Sequence, residues 1–246
     1  GRARLLVGAA DAIERNSPYD AWRRILAGLL GIDRTEDLGE RRAALQRYLT
    51  ASPQFAPRAP LLQAIAPFGL EETEETRGLD GESRALAVRD LMVDMLTESA
   101  GASPLVIAIE DTHWMDTASW GLAVAVVERV EPLLFLAVTR PVAQADINTH
   151  YAALLSRPEV VLHRLQTLTE AGALALMANC LGVAEVPAEV AALIYARAEG
   201  NPFFTEELTF GLRDAGVLRV ADCVCQLAEG ADVASGLDLP DTVQGV

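Results

Sequence analysis

The chain of 246 residues contains no lysine; all 20 of its basic side chains are arginine. A phosphate-binding loop of the form GxxxxGK[ST] needs its lysine to reach the β- and γ-phosphates, so these residues carry no such loop. Cysteine is nearly absent too, with only Cys180, Cys223 and Cys225. An odd number without metal-ligand spacing argues against a disulfide framework or a zinc site, and points to a reducing, cytoplasmic compartment. Aromatic residues make up 5% of a chain that is 51% hydrophobic, so the core must be built mainly from Leu, Val, Ile and Ala. No apolar run approaches the about 20 residues that span a bilayer, which leaves no membrane partner. The first ten residues do not read as a signal peptide. Positive charge is outweighed, with a net charge of -15. That argues against direct contact with nucleic acid, whose protein surfaces are normally basic. It leaves ATP open, because a nucleotide needs only a local cluster of donors.

What is present reads as an α/β chain followed by helices. Residues 4–8 form a short apolar strand. Ser17-Pro18 has the form of a helix start, Ser as cap and Pro at the first position, with Trp22, Ile25, Leu26, Leu29 and Leu30 on one stripe. A second helix is expected over about 36–49, a proline-rich loop over 51–60, and a long amphipathic helix over about 83–98 that buries Leu86, Leu91, Met95 and Leu96 and stops at Gly101. Residues 69–80 hold five acids around one arginine; this is either an acidic contact loop or, as we favour, a solvated mobile one. Strands are expected at 105–109 and 133–138 with a helix over about 117–130 between them, a βαβ unit of right-handed crossover. Residues 160–162 add a further candidate strand. From Thr169 the texture changes to three helices, at about 170–181, 188–199 and 202–215, with a hairpin over 217–227.

The stretch that carries chemistry is Pro104-Leu-Val-Ile-Ala-Ile-Glu110-Asp111-Thr112-His113-Trp114-Met115-Asp116. An unbroken apolar run suits a parallel strand buried on both faces. Open α/β sheets bind ligands outside the carboxyl ends of their strands, where Glu110 and Asp111 fall. Two carboxylates there have the form of a Walker B segment, which holds Mg²⁺ and orients water on a nucleotide phosphate. Strand ends also carry acids simply because the loop meets water; the length of the whole motif decides for the site. Arg140, just past the second buried strand, could bind phosphate through its planar fork or merely sit at a sheet edge. Gly200-Asn201-Pro202 makes a turn with an Asn cap, a geometry that needs no ligand. His113 is expected to be a hydrogen-bonded structural residue and Trp114 a packing one; His150 and His163 have no ligand spacing. Cys223 and Cys225 are expected to pack on one hairpin face.

The run Glu-Asp-x-His-Trp-x-Asp closely resembles the Walker B region of the STAND signal-transduction ATPases, especially those fused to class III adenylate/guanylate cyclases and in large LuxR-family regulators. Four other segments agree in order. Ser17-Pro18-Tyr19-Asp20-Ala21-Trp22 is similar to the family's Ser/Thr-Pro-Tyr-x-x-Trp segment. Val138-Thr139-Arg140-Pro141 resembles the end of the sensor 1 strand. Gly200-Asn201-Pro202-Phe203-Phe204 resembles the Gly-x-Pro motif of the helical lid, and Leu239-Pro240-Asp241-Thr242-Val243 the entry to a winged helix.

The resemblance implies a partial P-loop NTPase sheet over 1–165, a lid over 166–215, and over 216–246 a hairpin leading into a winged-helix domain. It implies ATP/ADP and Mg²⁺ as ligands. Glu110 would hold Mg²⁺ through water, Asp111 would polarise the attacking water, Arg140 would sense the γ-phosphate, and Gly200, Asn201 and Pro202 would meet the nucleotide, with Pro202 packing on adenine. Many relatives carry Asp before Glu here, and the inverted order leaves the two roles interchangeable; the shorter Asp could slow hydrolysis. The first strand and phosphate loop would precede Gly1, so the chain is expected to be an internal piece that binds ATP weakly or not at all by itself. The output would come from an effector in the same polypeptide, a cyclase or a DNA-binding module, with room for oligomerisation on activation. The competing reading is a degenerate module that keeps the fold and acts through protein contacts. A metabolic α/β enzyme is disfavoured, since neither GxSxG nor GxGxxG occurs.

Overall fold

The computed structural model describes residues 2–14, 17–32, 37–141, 148–221 and 223–228. The chain divides into two compact units, Gly1–Leu162 and His163–Val246.

The first unit is built on a three-stranded parallel sheet in the order β1 (Arg4–Ala9), β2 (Leu105–Glu110), β3 (Leu133–Ala137). Leu6 pairs with Ile107, and Ile107 with Phe135. Parallel neighbours need long crossovers. Here these are α1 (Arg23–Leu30), α2 (Leu38–Ala51) and α3 (Gly81–Ala102) between β1 and β2, and α4 (Thr117–Arg129) between β2 and β3; α5 (Thr149–Leu155) follows. Both crossovers step the same way across the sheet, so right-handed connections put their helices on one face. Leu6, Ile107 and Ile109 of the sheet share a single core with Ile25, Leu91, Met95, Leu122 and Val126 of those helices.

Several sequence expectations shift for physical reasons. The first helix does not start at Ser17. Tyr19 takes a left-handed conformation (φ 62°), a short 3₁₀ turn spans Asp20–Trp22, and α1 begins only at Arg23. Pro57 and Pro60 do not make a loop: Pro53–Ala64 is a 3₁₀ helix burying Phe55, Leu61 and Leu62. Proline lacks only a donor, and a short-pitched helix with few internal bonds tolerates that. α3 runs a turn beyond Glu98, past Gly101 to Ala102, and Leu86 is exposed rather than buried. The acidic 69–80 segment is anchored, contrary to the solvated mobile loop expected: Thr76 is fully buried, Glu72 pairs with Arg84, and Gln63 exchanges two hydrogen bonds with Leu70. Hydrogen bonding from Thr76, and then from Arg84, holds the Glu72 carboxyl below its usual range. Residues 160–162 form no strand, and α5 was not anticipated.

β2 is parallel as expected but is not buried on both faces. Leu105, Ile107 and Ile109 are buried, Val106 and Ala108 only partly, and Glu110 is exposed.

The second unit contains α6 (Glu170–Leu181), α7 (Ala188–Ala198), α8 (Pro202–Asp214) and the antiparallel hairpin β4 (Leu218–Ala221) with β5 (Val224–Leu227). Thr169 and Asn201 cap α6 and α8 through their side chains. The hairpin packs into the same core as the helices, through Leu218 and Cys225 against Met177, Ile194 and Leu212. Cys223 is not a packing residue: it occupies the turn at φ 60° and is exposed, while Cys225 is buried. The motif at 239–243 lies outside the described residues.

Candidate functional site

Glu110 ends the central strand, and Asp111 follows it in a left-handed conformation (φ 52°, ψ 38°). That conformation is uncommon for a residue with a Cβ and tolerated best by Asn and Asp. It turns the chain out of the sheet at once and starts the 3₁₀ turn Thr112–Trp114, with the Trp114 amide donating to the Asp111 carbonyl at 2.9 Å. Both carboxylates therefore reach solvent at the carboxyl edge, and the Asp111 side chain is 55% exposed.

The neighbouring strands are tied to this point by backbone bonds. The Ala10 amide donates to the Glu110 carbonyl at 3.0 Å, and the Val138 amide to the Ile109 carbonyl at 2.9 Å. The Thr112 amide and hydroxyl both donate to the Val138 carbonyl, at 2.9 and 3.1 Å. Thr112 is fully buried, so the variable position of the motif is a staple between the acidic loop and the end of β3. Arg140 lies two residues past that staple, exposed, and no partner of its guanidinium is found among the described residues.

A second anchor is Asp116. It caps α4 by accepting from the Ser119 amide at 2.9 Å and the Ser119 hydroxyl at 2.5 Å. The same carboxylate accepts from the Tyr19 amide at 3.2 Å, and the Trp22 indole donates to the Ser119 carbonyl at 3.1 Å. Two motifs about a hundred residues apart in sequence, 17–22 and 110–116, are thus one hydrogen-bonded assembly at the carboxyl ends of β1 and β2. Burial, and then the Asp116 charge, push the Tyr19 phenol above its ordinary value. Asp-x-x-Ser ahead of an apolar run was a legible cap; its second bond to Tyr19 was not, because nothing local encodes it. Replacing Asp116 by Ala removes the cap and leaves the buried Ser119 hydroxyl short of its acceptor, so unfolding in urea is expected to show a loss of about 2–4 kcal/mol.

His113 departs from expectation. Neither ring nitrogen has a hydrogen-bond partner, although both are buried. The ring packs against Trp114, centroids 4.8 Å apart, and its Nδ1 stays 3.9 Å from Asp111 Oδ1. Trp114 packs on the core as expected.

No group of three or more His, Cys, Asp or Glu converges among the described residues. A cage made wholly of protein ligands is therefore not what this edge offers. Two adjacent carboxylates suit Mg²⁺, which keeps several waters and takes further oxygens from phosphate. A shallow cleft lined by Arg4, Tyr48, Glu98 and Ser103 lies at the opposite, amino end of β1. Its only cation is already used: Arg4 donates to Ser99 Oγ and to the carbonyls of Gly28 and Leu29, capping α1.

In the second unit, Gly200 has φ 75°, and a Cβ there would come within 2.5 Å of the Leu168 carbonyl oxygen. The Leu168 amide donates to the Gly200 carbonyl at 2.7 Å, and Asn201 Oδ1 accepts from the Phe203 amide at 3.0 Å. Asn201 is the cap that the sequence indicates, and Pro202 takes the first helical position.

A family model described as a domain of unknown function (DUF8739) matches residues 169–226, the three helices and their hairpin. No curated protein matches the chain. Among solved structures it is similar to a mutant form of RuvB, an AAA+ P-loop ATPase, from Thermotoga maritima, with a TM-score of 0.39 and 20% identity over 56% of this chain. The match spans 52% of the RuvB chain, about half its length. So distant a likeness assigns no residue a role. The fold is mixed α/β with a three-stranded parallel sheet, and no helix among the described residues is long and apolar enough to cross a membrane.

Proposed function

We propose that the first unit is the acidic half of an ATP site in a STAND-type regulatory switch within a larger signalling or transcription-regulating protein. One observation carries the reading: the central strand of a parallel sheet ends in Glu110-Asp111, and Thr112 staples the chain leading to Arg140 beside them. Glu110 and Asp111 are the ligands for Mg²⁺ and its waters, and Mg²⁺ when bound offsets charge on the phosphates. One of the pair orients water for attack on the γ-phosphate. Asp111, turned out of the sheet by its left-handed backbone, has the shorter reach of the two. Arg140 offers a bidentate fork to phosphate oxygens, which a lysine would not. Pro202, with Gly200 and Asn201, is assigned to the adenine end by the motif resemblance alone. ATP and ADP act by favouring different conformations, and the output belongs to an effector elsewhere in the polypeptide.

Arg140 gives the test of this reading. In the full polypeptide, Arg140→Ala is expected to lower ATP affinity at least about tenfold, the cost of one charged phosphate contact, and AMP affinity hardly at all. Equal losses for ATP and AMP in a fluorescent-nucleotide competition assay would remove Arg140 from the phosphate end. The absence of lysine favours a second reading, the degenerate module, in which no ATP binding is detected in the full polypeptide.

A further inference from the structure

The sheet of the first unit has helices on one face only. On the other face the aligned rows are Leu5, Val106 and Leu134, then Val7, Ala108 and Leu136. Leu5 is 61% exposed, Val7 42%, Leu134 54% and Leu136 44%. All six side chains are aliphatic, and no charge interrupts them. β3 also has a free edge in the strand order found. The Leu105 amide donates to the Pro132 carbonyl and the Val138 amide to the Ile109 carbonyl, so even-numbered residues of β3 face β2. By the period of two, the backbone groups of Leu133, Phe135 and Ala137 point away from the sheet with no strand to receive them.

All-parallel sheets occur with both faces covered, because crossover helices lie on them. An apolar face and an unpaired edge on the same strand point to one missing piece. Its size follows from the sheet. Three strands about 4.8 Å apart and five residues of about 3.3 Å give a face of roughly 14 by 17 Å, near 240 Å². A stable partner interface needs about 800 Å² from each side, so this face alone is too small to hold a second copy. One helix of about 11 residues is about 17 Å long and about 10 Å wide, and fits it.

We propose that the open face and the β3 edge are a docking site for a strand–helix segment from polypeptide outside residues 1–246. Its aliphatic strand adds parallel to β3 and hydrogen-bonds to Phe135 and Ala137. Its helix lays an aliphatic stripe over Leu5, Val7, Leu134 and Leu136. The neutrality of the face, in a chain of net charge -15, makes the contact apolar and insensitive to salt. The proposal concerns architecture and holds whether or not the acidic edge binds nucleotide.

Amide exchange by NMR tests it directly. In residues 1–246 alone, the Phe135 and Ala137 amides exchange fast while those of Leu136 and Val138 are protected. In the full-length natural polypeptide, exchange at Phe135 and Ala137 slows by about 100-fold or more, as expected of amides moved into a ladder. Leu134→Glu combined with Leu136→Glu leaves the unfolding midpoint of residues 1–246 unchanged but returns those two amides to fast exchange in the full-length protein. Equal rates at Phe135 and Ala137 in the two polypeptides overturn the proposal. So does protection in residues 1–246 that rises with protein concentration, which would mark a second copy as the occupant. Unfolding of the isolated double variant would show that the chain itself covers this face, and overturns it equally.

Discussion

Trp22→Ala destabilises the first unit by about 3–5 kcal/mol, the cost of emptying a large aromatic site in a packed core. The ring is completely buried and its indole N–H donates to the Ser119 carbonyl. The loss therefore combines a cavity with an unpaired carbonyl next to the Asp116 cap. Trp22→Phe separates the two contributions. It keeps most of the apolar volume and forfeits the donor, so a smaller loss of about 1–3 kcal/mol is expected. Tryptophan fluorescence is a suitable probe of urea unfolding, because Trp22, Trp114 and Trp120 all lie in the first unit. The two survivors report on each variant. A cost below about 1 kcal/mol for Trp22→Ala would mean that the 17–22 segment is not held on the acidic edge as described.

Gly200→Ala is the second large effect, and it arises from backbone rather than packing. A left-handed conformation costs an L-residue about 1–3 kcal/mol when surroundings enforce it. At Gly200 the added methyl also meets the Leu168 carbonyl, which is itself fixed by the reciprocal Leu168–Gly200 backbone pairing. Overpacking adds about 1–3 kcal/mol, so a total of about 2–5 kcal/mol is expected in thermal unfolding followed by circular dichroism. Amide exchange at Leu168 should accelerate with it. By contrast Asn201→Ala removes one cap and costs about 1 kcal/mol. If Gly200→Ala proved as mild as Asn201→Ala, the turn would have room that this geometry denies it.

These effects show what the sequence could and could not disclose. Punctuation by Thr169, Pro187 and Asn201-Pro202 placed α6, α7 and α8 within a residue or two, because caps are local signals. The apolar run ending in Glu110-Asp111 was legible as a parallel strand with acids at its carboxyl edge. What lay beyond reach was tertiary. The Asp116–Tyr19 bond joins residues 97 apart, and no period or cap encodes it. The 3₁₀ helix at Pro53–Ala64 was hidden by its own prolines, which read as loop. The expectation that β2 is covered on both faces rested on a rule for complete parallel sheets. The rule holds on the helical face, and its failure on the other face is what reveals the docking site. His113 was given a hydrogen bond on general grounds, and the ring stacks on Trp114 without one.

The central claim is that Glu110 and Asp111 form a metal-dependent phosphate site. Calorimetric titration of the full polypeptide with ATP, with and without Mg²⁺, tests it on the wild type and on Glu110→Gln combined with Asp111→Asn. The account predicts that Mg²⁺ tightens ATP binding to the wild type by about tenfold or more, near 1.4 kcal/mol, and leaves the double variant unmoved. A double variant with undiminished Mg²⁺ dependence, or a full polypeptide that gives no ATP binding heat, would contradict it.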